Sequence, residues 1–226
     1  MHTRLVLGLI LLAISCSDPA SGVPDGPPPP VIDAAPDAPL GMPDLVIVGN
    51  DITASLLIEV QTFPPGDCAL VEQCISEAGD RRLLRFDTTT WNRGDAHLEL
   101  GIPGGPLYEW SSCHGHFHFS SYANYELLDA NSNLVVAGHK QAFCLMDTTQ
   151  IDFASPGPNY GCAFQGISAG WADTYGAYLD CQWIDITGVA PGTYTLRITI
   201  NTLQILPESD YTNNVFETPV TIEFAA

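Results

Sequence analysis

The chain has 226 residues, which is enough for one domain of ordinary size and a tail. Acidic residues outnumber basic ones by 26 to 7, and this argues against nucleic acid as a partner, because phosphate binding needs clustered Lys and Arg. The same excess argues against a polybasic membrane-surface helix, and a hydrophobic fraction of 46% excludes disorder of the whole chain.

The first residues are typical of an export signal. Residues 1–16 read MHTRLVLGLILLAISC, with one early Arg and an apolar run of ten residues that is too short to cross a bilayer as a helix. A small residue before Cys16 resembles a bacterial lipobox, which predicts a lipidated Cys16; a plain signal peptide with a spare Cys is the alternative. We expect residues 1–15 to be removed and the protein to be exported, as an envelope lipoprotein or in secreted form.

The segment that follows is rich in proline. Eight of the 18 prolines lie within residues 17–41, four of them in a row. Such a stretch cannot bury a core, and it predicts an extended spacer. We therefore divide the chain into a signal peptide (1–15), a lipidated Cys16 with its linker (16–41) and one folded domain (42–226), whose only membrane contact is the N-terminal lipid.

From residue 42 onward the pattern is that of β-structure. Short segments rich in β-branched and aromatic residues alternate with turn signals containing Gly, Pro, Asn and Asp. The predicted strands are Leu56–Phe63, Arg82–Thr88, Tyr122–Leu128, Gln182–Thr187, Tyr194–Asn201 and Val215–Glu223. No amphipathic helix is expected that is longer than a possible turn or two at Asp67–Ala78. The sequence predicts a single all-β, sandwich-like domain with long loops, stapled by disulfides.

Cysteine counting supports a disulfide-bonded domain. Seven cysteines are present, and setting Cys16 aside leaves six. In an exported protein, six cysteines allow up to three disulfides in fifteen possible pairings. There is no Cys-x-x-Cys pair, which argues against a structural zinc site or a thioredoxin-like centre.

Three alternating histidines form the strongest motif, Cys113-His114-Gly115-His116-Phe117-His118. On an extended strand, alternate side chains share one face, but the Cα atoms of i and i+4 lie about 13 Å apart. The outer pair can bind one ion only if the strand bends, and Gly115 makes bending easier. Imidazole ligands without a carboxylate favour copper or zinc. The alternative is a chance run of surface histidines.

Further motifs follow in order along the chain. They are Gly138-His139-Lys140-Gln141-Ala142-Phe143-Cys144-Leu145, Asp173-Thr174-Tyr175-Gly176 continuing to Cys181-Gln182-Trp183-Ile184-Asp185-Ile186-Thr187, and Pro207-Glu208-Ser209-Asp210-Tyr211-Thr212-Asn213-Asn214. Together with the histidine motif they resemble the catalytic domain of the lysyl oxidase family, from about residue 43 to 215. A lone His-x-His-x-His would not be specific, whereas this series is.

The resemblance implies a reaction and its cofactors. It implies that His114, His116 and His118 bind copper, and that Lys140 and Tyr175 form a lysine tyrosylquinone. The expected reaction is oxidative deamination of a primary amine by O₂, giving an aldehyde, hydrogen peroxide and ammonia. Lys140 is the single lysine of the chain. The expected substrate is a cationic primary amine or a Lys-rich protein, because a negative field concentrates cations.

The catalytic base is left open by the sequence. Asp173 is a candidate because it lies two residues before Tyr175, and a turn carboxylate is the alternative. His139 adjoins Lys140, but on a strand it would point to the opposite face. Tyr178 is the one plausible competitor of Tyr175 for the quinone, and it lacks the Asp-Thr-Tyr context.

The resemblance also implies a calcium site and a disulfide pattern. The calcium ligands it points to are Asp44, the Leu45 carbonyl, Glu208, Asp210, Asn213 and Asn214, which would join the two ends of the domain; a polar turn is the alternative. The implied disulfides are Cys68–Cys113, Cys74–Cys181 and Cys144–Cys162. Gln150 and Trp171 stand where the family has a further pair, and Ser111 replaces a family histidine.

Two other functions remain alternatives at this point. One is a secreted metal-binding β-sandwich module without oxidase activity. The other is a zinc hydrolase, since three histidines and a water are a catalytic zinc pattern. Metal analysis and a test for a visible quinone would separate the three.

Overall fold

The computed structural model describes residues 41–138 and 142–224. The predicted signal peptide, Cys16, the linker up to residue 40, and His139 and Lys140 lie outside these ranges. Within them, no helix is long and apolar enough to span a bilayer.

Short strands dominate the described part of the chain. The strands are β1 (Leu45–Ile47), β2 (Leu57–Phe63), β3 (Gly79–Arg85), β4 (Thr88–Asn92), β5 (Leu98–Gly101), β6 (Tyr108–Ser111), β7 (His116–Ser120), β8 (Ala123–Leu128), β9 (Leu134–Ala137), β10 (Ala142–Phe143), β11 (Thr149–Gln150), β12 (Gln165–Ile167), β13 (Trp171–Tyr175), β14 (Trp183–Asp185), β15 (Gly192–Ile200) and β16 (Val215–Ile222). The helices are α1 (Gly49–Ser55) and α2 (Cys68–Val71). The all-β class with little helix is confirmed.

The strands are distributed over five antiparallel sheets, a finer division than the sandwich-like arrangement that we predicted. Their strand orders are β1-β4-β13-β11, β10-β7-β6, β12-β5, β14-β3-β2 and β16-β15-β8-β9. The sheets matter for function because they position the candidate residues. Strand β7 carries two of the three histidines of the motif, and β13 carries Asp173 and Tyr175.

Helix α1, of seven residues, was not among the predicted elements. Its sequence, GNDITAS, buries only Ile52, so it has no amphipathic period to read. Tertiary contacts hold it instead, since Ile52 belongs to the main core and Ser55 Oγ accepts from Asp87 N at 2.7 Å. The predicted helical turn is present as α2, where Asp67 caps the first turn by accepting from Ala69 N at 2.9 Å.

Two apolar clusters form the interior. The larger one combines fully buried residues from most of the sheets, among them Leu45, Phe86, Phe143 and Ile198. The smaller one surrounds Trp183 and lies under α2. These clusters fix the strands that carry the polar site.

Three disulfides tie the loops to the sheets. They join Cys68 to Cys113, Cys74 to Cys181 and Cys144 to Cys162, which are the pairs that the resemblance implied. Gln150 and Trp171, which stand where the resemblance implies a further disulfide, are directly opposed in the β11–β13 ladder.

Candidate active site

The histidine motif bends at its glycine. Cys113, His114 and Gly115 form a turn before β7, and Gly115 has a φ of +69°, in the left-handed region that favours glycine. Gly115 N donates to Ser111 O at 2.9 Å, which closes this turn between β6 and β7. His114 therefore lies in the turn, while His116 and His118 lie on the strand.

The bend brings the three imidazoles together. Their ring centroids are 5.9 Å apart for His114 and His116, 5.2 Å for His114 and His118, and 4.7 Å for His116 and His118. The Nε2 atoms of His116 and His118 are 3.0 Å apart, while His116 Nδ1 lies 3.0 Å from the His114 carbonyl oxygen. Two nitrogens about 2 Å from one ion, at an angle near 90°, have about this separation.

A carboxylate that the sequence analysis did not identify contacts this cluster. Glu72 Oε2 lies 3.2 Å from His114 Nε2, and Glu72 Oε1 accepts from Ser111 Oγ at 2.6 Å. Ser111 Oγ in turn accepts from His114 N at 3.0 Å. Glu72 lies 42 residues from His114 in a segment without metal-ligand spacing, so no local pattern revealed it.

The tyrosine expected to form the quinone is at the end of β13. Tyr175 OH donates to the Cys144 carbonyl at 2.7 Å, and the ring packs edge-on against Phe143 with centroids 4.7 Å apart. Burial raises the pKa of Tyr175 well above the ordinary tyrosine value, and the nearby Asp173 carboxylate raises it further. The phenol is thus neutral and fixed in orientation.

Asp173 lies on the same strand and is buried. It is only 2% exposed, and its Oδ2 accepts from Met146 N at 3.3 Å. It is a strand residue, so the turn interpretation of this carboxylate was wrong. Tyr178, by contrast, is 85% exposed and lies against Gly176.

The histidines, the tyrosines and the carboxylates described above line one cleft of about 640 Å³. Its walls include the three histidines, Asp173, Tyr175 and both the Cys144–Cys162 and Cys74–Cys181 bridges. Four carboxylate side chains line it, and none of the described lining residues is Lys or Arg. The carboxylates are Glu72, Glu109, Asp173 and Asp180. The described lining thus carries acidic side chains without a Lys or Arg to offset them, which suits a cationic ligand.

Glu72, Cys74 and Cys181 also lie close enough together to resemble a metal-binding group. The two sulfurs are joined in a disulfide, so neither can act as a thiolate ligand. We assign no metal to this group.

The residues implied for calcium come from the two ends of the domain sequence, and the fold brings them together. Glu208 Oε2 accepts from Leu45 N at 2.8 Å, Asp44 Oδ1 accepts from Asn213 Nδ2 at 2.8 Å, and Glu208 Oε1 accepts from Asn214 Nδ2 at 2.9 Å. Burial raises the pKa of Glu208. Asp210 instead accepts from Thr212 N and Oγ1, and these bonds lower its pKa.

Comparison with known proteins gives one consistent result. The family described as "Lysyl oxidase" matches residues 43–224. Human protein-lysine 6-oxidase is 42% identical over 190 residues, which cover 77% of this chain and 44% of that protein. Human lysyl oxidase homolog 1 is 43% identical, with 77% and 32% covered, and pig protein-lysine 6-oxidase is 40% identical, with 77% and 74% covered. The chain thus spans less than half of either human relative.

Proposed function

The chain belongs to the lysyl oxidase family, and we propose that it is a copper- and quinone-dependent amine oxidase. It would oxidatively deaminate primary amines, either peptidyl lysine or small amines, with O₂ as acceptor and with release of an aldehyde, hydrogen peroxide and ammonia. The observation that carries the proposal is the convergence of three imidazoles, Tyr175 and a buried carboxylate in one negatively charged cleft.

The donor set fits copper. His114, His116 and His118 would hold the ion, and imidazole nitrogens without a bound carboxylate favour copper or zinc over magnesium or calcium. The 3.0 Å separation of two Nε2 atoms supports a shared ion, because it matches two ligands on one metal. The bend at Gly115 supplies the turn that an extended strand lacks.

Tyr175 fits the quinone precursor. Lys140, its proposed partner, lies outside the described residues, but Phe143, three residues later, packs directly on the Tyr175 ring. When formed, lysine tyrosylquinone supplies the carbonyl electrophile and the electron sink that amine oxidation requires. The hydrogen bond from Tyr175 OH to the Cys144 carbonyl holds the ring in one orientation before that chemistry occurs.

The remaining cleft residues would bind the substrate and move its protons. The four carboxylates attract an ammonium group, and Asp173 is our candidate for the base that takes the proton from the substrate carbon, since it is buried and two residues from Tyr175 on β13. The Met146 N–H that donates to its Oδ2 fixes the carboxylate in place.

We further propose that calcium joins the ends of the domain. Asp44, the Leu45 carbonyl, Glu208, Asp210, Asn213 and Asn214 are the proposed ligands. The supporting observation is that the side-chain Oδ1 atoms of Asn213 and Asn214 are buried without a hydrogen-bond partner among the described residues. Buried acceptors without donors, next to two carboxylates, suit a hard cation.

The N-terminal region leads to a proposal for location. Residues 1–15 would direct export, lipidated Cys16 with the linker to residue 41 would anchor the domain 42–226 to an envelope membrane, and cleavage without lipidation would give a secreted form. The substrate would be a cationic amine or a Lys-rich protein, with no nucleic acid involved.

One experiment tests the activity. Copper-loaded, oxidised full-length protein is expected to show a visible quinone absorbance that shifts with phenylhydrazine, and peroxide release that depends on added amine. Tyr175→Phe should abolish both, whereas the matched control Tyr178→Phe should retain both. Copper-loaded wild type that lacks both signals would refute the oxidase proposal and favour a metal-binding module. Zinc in place of copper, with ester or amide hydrolysis, would favour a hydrolase.

A further inference from the structure

The contact between Glu72 and the histidine cluster gives the turn residue His114 two restraints. One carboxylate oxygen faces the ring nitrogen Nε2 at 3.2 Å, and the other holds Ser111 Oγ, which accepts the His114 backbone N–H. The ring and the backbone of one histidine are thus held by a single Glu–Ser pair.

Covalent links make this arrangement rigid. Glu72 follows α2, and its N–H donates to Cys68 O at 2.9 Å. Cys68 is bridged to Cys113, the residue immediately before His114. A closed ring therefore runs from Cys68 through Glu72 and His114 back to Cys113. The Glu72 and His114 side chains are only 23% and 27% exposed, so solvent screens this contact less than a surface ion pair.

The contact also constrains the histidine chemistry. A neutral imidazole has one N–H and one lone pair, so donation by one nitrogen assigns metal binding to the other. His116 has its Nδ1 beside a backbone carbonyl, which leaves Nε2 for a metal. His114 has the opposite arrangement, because its Nε2 faces the Glu72 carboxylate and Nδ1 remains.

We propose that Glu72 is a positioning residue of the metal centre. It accepts the Nε2–H of His114, fixes the tautomer and orientation of that ring, and makes Nδ1 a stronger donor through its negative charge. Ser111 completes the unit by orienting the carboxylate. This inference rests on the three-histidine metal site of the proposed function, and it is independent of the quinone.

Metal affinity tests the proposal directly. The full-length protein, freed of metal, is titrated with Cu(II) and separately with Zn(II) against a chelator of known affinity, and the Cu(II) form is examined by electron paramagnetic resonance. Glu72→Gln keeps the size of the side chain and is expected to weaken binding of both metals about 10- to 100-fold and to change the copper hyperfine splitting. Glu72→Asp and Ser111→Ala should weaken binding less.

The matched control is Glu77→Gln, which removes the same charge from an exposed carboxylate of the same segment that does not line the cleft. It should leave the metal affinity within about twofold and the copper spectrum unchanged, whereas an equal loss in both variants would show a general field effect and overturn the proposal. The proposal also fails if Glu72→Gln matches wild type in affinity and spectrum. Tight zinc binding that depends on Glu72, without oxidase activity, would uphold it while refuting the proposed oxidase.

Discussion

Tyr125 provides a quantitative test of the packing behind the site. Its ring is 1% exposed, between Phe86 and Phe143, and its hydroxyl exchanges hydrogen bonds with Gln182 at 3.2–3.3 Å. Burial raises the pKa of Tyr125 from 10.0 to about 12. Because the folded state retains this proton while the unfolded state releases it, stability falls as pH rises above 10.

The magnitude follows from linkage. At pH 11 an unfolded tyrosine is about nine-tenths ionised and folded Tyr125 about one-tenth, which corresponds to about 1.4 kcal/mol of lost stability. Tyr125→Phe removes this loss but sacrifices the bonds to Gln182, at a cost of about 1 kcal/mol at every pH. The variant should therefore be less stable than wild type at pH 7, and equal or slightly more stable at pH 11.

Urea unfolding followed by tryptophan fluorescence at pH 7, 9, 10 and 11 measures this difference. Tyr122 is present in both proteins, and burial, the main reason that its pKa is raised, is the same in the two. If the two free energies of unfolding stay parallel from pH 7 to 11, Tyr125 does not titrate differently in the folded state and the burial argument is refuted.

Three further predictions concern the site and its supports. Lys140→Arg should keep copper bound and abolish quinone absorbance and peroxide release. An active variant would show that Lys140 is not part of the cofactor. Addition of EGTA should lower the unfolding temperature of wild type but hardly change that of Asp44→Asn, whereas equal shifts would place calcium elsewhere. Arg85→Lys should cost about 2 kcal/mol in urea unfolding, because the guanidinium donates to Ala177 O at 2.8 Å and stacks over Trp183 at 4.4 Å. A cost below about 0.5 kcal/mol would show that this contact contributes little.

The elements that could be predicted share a strong local signal. β15 and β16 are long, alternate in burial and were anticipated within two residues at each end. Helix α1 could not be predicted, because its stability comes from Ile52 and Ser55 contacts to distant residues. The division into five sheets depends on which strands pair across the chain, and periodicity carries no such information.

The site could be predicted to a similar extent. The alternating histidines and the Asp-Thr-Tyr motif are compact patterns, and the structure brings them to one cleft. Glu72 was missed because its relation to His114 exists only after the Cys68–Cys113 bridge and α2 have folded that segment against the histidine turn. Helix α1 and Glu72 were both missed for the same reason. Each depends on contacts between segments far apart in sequence, and such contacts leave no local pattern.

The contact between Leu45 and Glu208 has a consequence for the order in which the domain assembles. It joins residues 163 positions apart, and Ser209 N adds a second link to Pro43 O at 2.9 Å. The histidine turn, by contrast, is bridged to a cysteine only 45 residues away. Since longer loops close at a greater entropic cost, we expect the histidine turn to form early and these contacts between the two ends of the domain to form last. A chain still emerging from its point of synthesis or export would then have its histidine turn folded before its two ends meet.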